Sequence, residues 1–124
     1  MLTTPIISKK PSERELFEHK CEILQRIASA YPDGFTVNIS NGFRKETQGF
    51  AVAYKETQDS FGPAKALEHA LKNSNIVGGW LDNGKYYFDS VKVFNEEAEA
   101  REFAIENDQI AYFDLNIGEE VRLK

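Results

Sequence analysis

The chain has one cysteine, one methionine, one tryptophan and two histidines in 124 residues. A single Cys excludes an internal disulfide framework. One Cys with two His cannot furnish a zinc site of the usual Cys/His kind. No run approaches the roughly 18 apolar residues that a membrane-spanning helix needs. Met1–Pro11 carries two Pro and two Lys and lacks the apolar stretch of a secretory leader, so a cytoplasmic protein is expected. Basic residues are in deficit, 15 against 20 acidic, for a formal net charge of -5. A protein that coats a nucleic-acid backbone needs the opposite balance, because phosphates must be neutralised. The deficit is local. Asn95–Lys124 holds nine acidic and three basic residues, whereas the first 94 residues hold eleven and twelve. Such an acidic C-terminal third can face a basic partner, although solubility is the plainer reading.

Hydrophobic residues make up 41% of the chain and charged residues 28%, an ordinary globular balance for one domain. Nine Phe and five Tyr supply an aromatic-rich core. Residues 1–11 read as a loose arm and residues 12–124 as a single domain. Ser12 and Glu15 have the spacing of a capping box, opening a helix from Glu13 to about Ala30 that Pro32-Asp33-Gly34 ends. Phe35–Ile39 and Phe50–Tyr54 alternate as strands, joined through Asn41-Gly42 and a polar stretch to Gly49. Gly62-Pro63 opens a second helix that ends near Asn73, with Ala64, Leu67, Ala70 and Leu71 as its inner stripe. Ile76–Leu81 and Tyr86–Phe94 flank Asp82-Asn83-Gly84-Lys85. Asn-Gly at the centre of a type I′ turn sets Leu81 opposite Tyr86 and Trp80 opposite Tyr87. Both faces of that hairpin are apolar, so cover on both sides is expected. Asn95 is positioned to cap a third helix, Glu96 to about Asn107, with Ala100, Phe103 and Ala104 inward. Gln109–Phe113 and Glu119–Leu123 are the last strands. The expected fold is α+β, with one mixed or antiparallel sheet and about three helices in the order α-β-β-α-β-β-α-β-β.

Chemistry-bearing residues are sparse. Cys21 lies mid-helix beside an apolar stripe, the setting of an inert thiol. His19 is two residues away, and i and i+2 diverge on a helix. His69, Glu56 and Asp59 are candidates for acid–base work only if the fold gathers them. No nucleophile elbow, phosphate-binding glycine loop or dinucleotide fingerprint occurs. Gly78-Gly79 falls inside a strand pattern, where it makes room for Tyr87 and Phe88 or marks a bulge. No catalytic residue, cofactor or metal ligand is assigned. Two surfaces remain. Trp80 and Tyr87 divide between core and an exposed binding platform, whereas Phe88 and Leu81 are expected in the core. Arg44 and Lys45 lie in a polar loop that suits an acidic partner or a phosphate backbone. The bend before the second helix, near Gly62 and Ala64, has free backbone donors that Asp59 or Ser60 would satisfy.

Three runs carry a resemblance: Phe50–Gln58 with Ser60-Phe61-Gly62, Val77–Trp80 with Tyr86–Asp89, and Asn107–Leu115. With these the chain, from about residue 30 to 123, resembles an uncharacterised family of small bacterial proteins associated with gut bacteroidetes and their mobile elements. The resemblance implies no activity, cofactor or site residue. The residues themselves favour a small binding or adaptor protein working through protein contacts. A nucleic-acid accessory protein is the alternative, and an enzyme with a spatially assembled site ranks third. Glu119–Leu123 at a sheet edge leaves monomer and homodimer equally open.

Overall fold

The computed structural model describes residues 10–58 and 60–123. The arm expected over residues 1–11 lies almost wholly outside them. Three helices are present among the described residues: α1 (Glu13–Ala30), α2 (Pro63–Lys72) and α3 (Glu97–Glu106). Seven strands form one sheet: β1 (Phe35–Asn38), β2 (Arg44–Lys45), β3 (Phe50–Ala53), β4 (Ile76–Asp82), β5 (Lys85–Phe94), β6 (Ala111–Asp114) and β7 (Glu119–Arg122). Their spatial order is β2-β1-β4-β5-β3-β6-β7, with every neighbouring pair antiparallel. The α+β class, the three helices and the single sheet stand as expected. The element order gains one short strand, β2.

That strand changes the pairing. Phe35–Ile39 and Phe50–Tyr54, expected as successive strands, do not pair with each other: β1 pairs with β2 and β4, and β3 pairs with β5 and β6. The cause is local. The Asn38 side chain accepts from the Ser40 backbone N–H at 3.0 Å and caps a 3₁₀ turn over Ile39–Asn41. Gly42, at φ +66, then reverses the chain. Arg44 and Lys45 therefore return alongside β1 and occupy the edge that β3 would have needed.

The terminus of α1 is built as its sequence requires. Ser12 Oγ accepts from the Glu15 N–H at 3.1 Å, and Glu15 Oε1 accepts from the Ser12 N–H at 2.8 Å. The third helix departs from expectation. It begins one residue later, with Glu96 rather than Asn95 at the cap and no side-chain capping bond. Glu97 in its first turn instead accepts from the Tyr112 hydroxyl at 2.6 Å, which ties the helix to β6. In α2 the inward stripe is Pro63, Ala66, Leu67 and Ala70, while Ala64 and Leu71 face out. The stripe expected from the sequence was rotated because it started at Ala64 rather than at the N1 proline.

Register assigns the two sheet faces. Phe35 is opposite Gly79, Val37 opposite Val77, and Gly79 opposite Phe88. Phe35, Val37, Val77 and Phe88 form one core cluster with Leu24 and Ala28 of α1 and with Ala66, Leu67 and Ala70 of α2. Further along the same face, Val52 packs with Ala100 and Ala104 of α3 and with Tyr112. All three helices thus cover one face. The alternate residues, Ala51, Ile76 and Val91, form a separate cluster with Val93 and Leu115, to which no described helix contributes. Cover on both sides was expected, with helices on one face or both; the helices take one face, and the second buries its centre without them. A doubly apolar hairpin reads the same from its sequence whether a helix or neighbouring strands bury its second face.

Gly79 explains the close approach of β1. A Cβ there would stand 2.2 Å from Phe35 Cε2, so the ring of Phe35 lies flat against the glycine. Gly78 makes room for Val91, whose Cγ2 would be 2.9 Å from a Cβ. The two glycines do serve packing, but for Phe35 on the neighbouring strand and Val91, not for Tyr87 and Phe88. The β4–β5 register runs through them unbroken, so they mark no bulge.

Candidate functional site, an aromatic ridge on the helix-free face

The β4–β5 hairpin turns at Asn83 and Gly84, both at positive φ (+55 and +78), as a type I′ turn demands. Trp80 therefore sits directly opposite Tyr87, as the sequence indicated. Side chains alternate along a strand. Gly79 and Phe88 point at the helices, so Trp80 and Tyr87 point the other way. Their rings stack, with centroids 4.9 Å apart and planes 27° from parallel. Trp80 is 42% exposed and Tyr87 half-buried. Leu81, expected in the core, is exposed, because it lies at the hairpin tip. Phe88 is buried as expected.

A third ring completes the row. Ser60 bridges β5: the Phe88 N–H donates to the Ser60 carbonyl at 2.8 Å. The Ser60 hydroxyl donates to the Thr57 carbonyl at 2.7 Å, and Thr57 Oγ1 accepts from the Ser90 N–H at 2.8 Å. This buried polar clamp fixes the segment ahead of α2. The next residue, Phe61, then lands on Tyr87 at 5.2 Å and 34°. Phe61 is 61% exposed. Lys85 Nζ lies 5.8 Å from the Phe61 ring centre, within reach of a cation–π contact. At the far end, Trp80 Nε1 donates to Asp89 Oδ2 at 2.7 Å, which fixes the indole. Beside Phe61 is an open hollow of about 300 Å³ lined by Ser60, Phe61, Gly62, Ala64 and Lys65. Gly62 gives α2 no side-chain cap. Ser60, expected to satisfy the start of the helix, spends its hydroxyl on Thr57, and Asp59 lies outside the described residues.

Phe61 was missed in the sequence because the stretch around it is polar and the bridge that places it is non-local. Its only local signal was a large apolar residue immediately ahead of a Gly-Pro helix start. Arg44 and Lys45 do not join the ridge. They lie on β2, two strands from β4, in register through β1 with Ile76 and Val77. Arg44 is four positions from Trp80 along the strand direction, about 13 Å at the usual rise. Lys45 shares the face of Val37 and sets its Nζ 5.0 Å from the centre of the Tyr31 ring.

A second cluster draws together residues that the sequence left as acid–base candidates. His69 Nδ1 is 2.8 Å from Ser90 Oγ, and His69 Nε2 is 3.9 Å from Glu56 Oε1. The sequence serine–imidazole–carboxylate has the order of a nucleophile, base and orienting group. Ser90, however, is 0% exposed. Its hydroxyl has no approach for a substrate, and the contact instead pins α2 to β5. The hollow of about 230 Å³ outside His69 is lined by side chains of both charges, Glu56, Glu68, Lys65 and Lys72 among them. Cys21 is half-buried, and burial together with the Glu18 carboxylate pushes its thiol above the usual range. Among the described residues no group of three or more His, Cys, Asp or Glu is placed to hold a metal ion, and no helix is long and apolar enough to cross a membrane.

Comparison of the chain with protein-family models, with curated proteins and with solved structures finds no match.

Proposed function

We propose that this is a binding protein that engages another protein through the Phe61–Tyr87–Trp80 ridge. The observation that carries this reading is the ridge itself: a stacked Trp80–Tyr87 pair with Phe61 tilted against Tyr87, two of the three rings substantially exposed, on the face that the helices leave open. Tyr and Trp bring large contact area at low entropy cost and dominate interface hot spots. The ridge rests on buried hydrogen bonds beneath it, so little ordering remains to be done on binding.

The same geometry disfavours single-stranded nucleic acid. A base stacks on a free ring face. Tyr87 has Trp80 and Phe61 as ring neighbours, so the central ring of the row is engaged within the protein. Basic residues near the ridge are few, Lys85 over Phe61 and Lys65 in the hollow beside it; Arg44 is remote, and the chain carries net negative charge. A cytoplasmic setting and kinship with the small bacterial proteins named above belong to the same reading.

The test is affinity enrichment of a partner on the wild-type protein, followed by titration of that partner against Trp80→Ala/Tyr87→Ala. Loss of binding with an unchanged melting midpoint is the expected result. Unchanged affinity in the double variant refutes the ridge as the docking site. Tight, salt-sensitive binding of wild type to oligonucleotides would return the nucleic-acid reading.

A further inference from the structure

We propose that the free edge of β7 pairs with β7 of a second copy of this chain, antiparallel and in a register centred on Val121. This inference is independent of the ridge. The spatial order ends at β2 on one side and β7 on the other. The β2 edge is two residues long and consists of Arg44 and Lys45, so self-pairing there sets like charges together. The β7 edge is four residues, Glu-Glu-Val-Arg, and carries charges of both signs, which an antiparallel copy can pair rather than set in repulsion.

The direction of the backbone groups selects the register. The Leu123 N–H donates to the Ile110 carbonyl on β6 at 2.8 Å. Amides alternate along a strand. Val121 therefore also turns its N–H and C=O toward β6, and those of Glu120 and Arg122 point away from it, on the side where no described strand pairs with β7. A two-fold axis perpendicular to the sheet keeps each residue on its own face only when like parity meets like parity. Three registers satisfy this rule near the strand centre. One sets Glu120 against Glu120 of the second copy, and another sets Arg122 against Arg122. The third centres on Val121 and sets Glu120 against Arg122 twice. In that register Glu120 and Arg122 across the axis form hydrogen-bonded pairs, and each pair exchanges both backbone bonds. Within the monomer Arg122 Nε already lies 3.2 Å from Glu120 Oε1 on the same face. Pairing would place the two ion pairs side by side, with charges alternating around the axis. The exposed side chains of Phe113 on β6, and of Ile110 and Ile117 at its flanks, lie next to this edge and add apolar area. A four-residue seam is well below the roughly 1,200–2,000 Å² of a stable interface, so the dimer is weak and concentration-dependent.

Sedimentation equilibrium across a concentration series tests the pairing. Wild type should rise from monomer to dimer mass. Arg122→Glu should weaken the dimer by about tenfold or more, because both cross-axis pairs become repulsive. Glu120→Arg/Arg122→Glu should restore it, since complementarity returns with the charges exchanged. Val121→Cys in a Cys21→Ser background supplies a second readout: mild oxidation should give a covalent dimer, as the central pair is a close, non-hydrogen-bonded one. A protein that stays monomeric at all concentrations overturns the proposal. So does a dimer indifferent to the charge exchange that fails to cross-link at position 121, which would include β2 of one copy meeting β7 of the next.

Discussion

Replacing Gly79 by Ala tests the packing that brings β1 against β4. The added methyl would stand 2.2 Å from Phe35 Cε2 and 2.8 Å from both Cδ2 and Cζ. Ordinary carbon–carbon contact is about 3.5–4.0 Å, so the ring or the strand must move by more than 1 Å. Phe35 is nearly fully buried and belongs to the cluster formed by α1, α2 and the sheet. Its ring is bracketed by Tyr86 at 6.4 Å and Phe88 at 6.2 Å. Overpacking of this kind costs about 1–3 kcal/mol. Expelling the ring instead forfeits the burial of a Phe side chain, about 1.5–3 kcal/mol. Against either, Ala for Gly restricts the unfolded chain and returns about 0.4–1 kcal/mol. The expected net loss is about 1–2 kcal/mol. With a urea dependence of about 1–3 kcal/mol per molar, the midpoint should fall by about 0.5–1 M, with the slope unchanged. Trp80, next to Gly79 on β4, is a natural fluorescence reporter. Phe35→Ala alone should cost about 3–5 kcal/mol. In that background Gly79→Ala has nothing left to strike and should be neutral or mildly stabilising, so the two changes must show strong favourable coupling. A Gly79→Ala variant within about 0.3 kcal/mol of wild type would refute the wedge, as would strict additivity with Phe35→Ala.

Three further outcomes follow from single contacts. Burial, and secondarily the Asp33 carboxylate, push the Tyr86 phenol up to about 12. The folded state therefore holds this proton where the unfolded chain has lost it; the contribution is intact below pH 10 and declines as pH rises through 10 to 12. Tyr86→Phe, which also removes the 2.9 Å hydrogen bond to the Tyr31 carbonyl, should flatten that alkaline limb in a denaturation series. Ser12→Ala removes the N-cap of α1 and should cost about 1 kcal/mol, read as a lower melting midpoint. Cys21 should react slowly with a chromogenic disulfide reagent at pH 8 in the native protein and rapidly in denaturant; fast native labelling would contradict the raised thiol.

The parts of this fold legible in the sequence are those whose cause is local. Ser12 and Glu15 signalled the start of α1, and Asn83-Gly84 fixed the β4–β5 register to the residue. Both depend on bonds that span four residues or fewer. The misjudged parts depend on contacts between distant segments. The β2 strand is the exception: Asn38, Ser40 and Gly42 build its turn locally, but two residues are too few for alternation to announce a strand. Nothing near Leu81 says that the hairpin outruns the helices covering its lower part. The ridge is divided in the same way. Trp80 opposite Tyr87 was readable, but which face they take depends on Phe35 filling the space at Gly79, and Phe61 arrives through a bridge to Phe88 that no periodicity announces.

The errors at Leu81 and along the ridge share one physical origin, and it bears on where this protein works. Alternation tells which residues share a face, but it does not tell what lies above that face. Here one face takes all three helices, and their apolar stripes are spent on Phe35, Val37, Val77, Phe88 and Val52. The other face buries Ala51, Ile76 and Val91 at its centre without a described helix and leaves Trp80 and Phe61 partly in solvent at one end. Isolated exposed apolar residues need no explanation, whereas two exposed rings set against a third on a hydrogen-bonded base are costly to keep there by chance. Burying Phe61 on the helix side would require Ser60 to give up its bridge. The Thr57, Ser60 and Ser90 bonds, buried beneath it, oppose that retreat. The ridge is thus held out by the same polar clamp that seats α2. Thr57→Val, which keeps volume but removes the acceptor for the Ser90 amide, should therefore loosen Phe61 as well as destabilise the core.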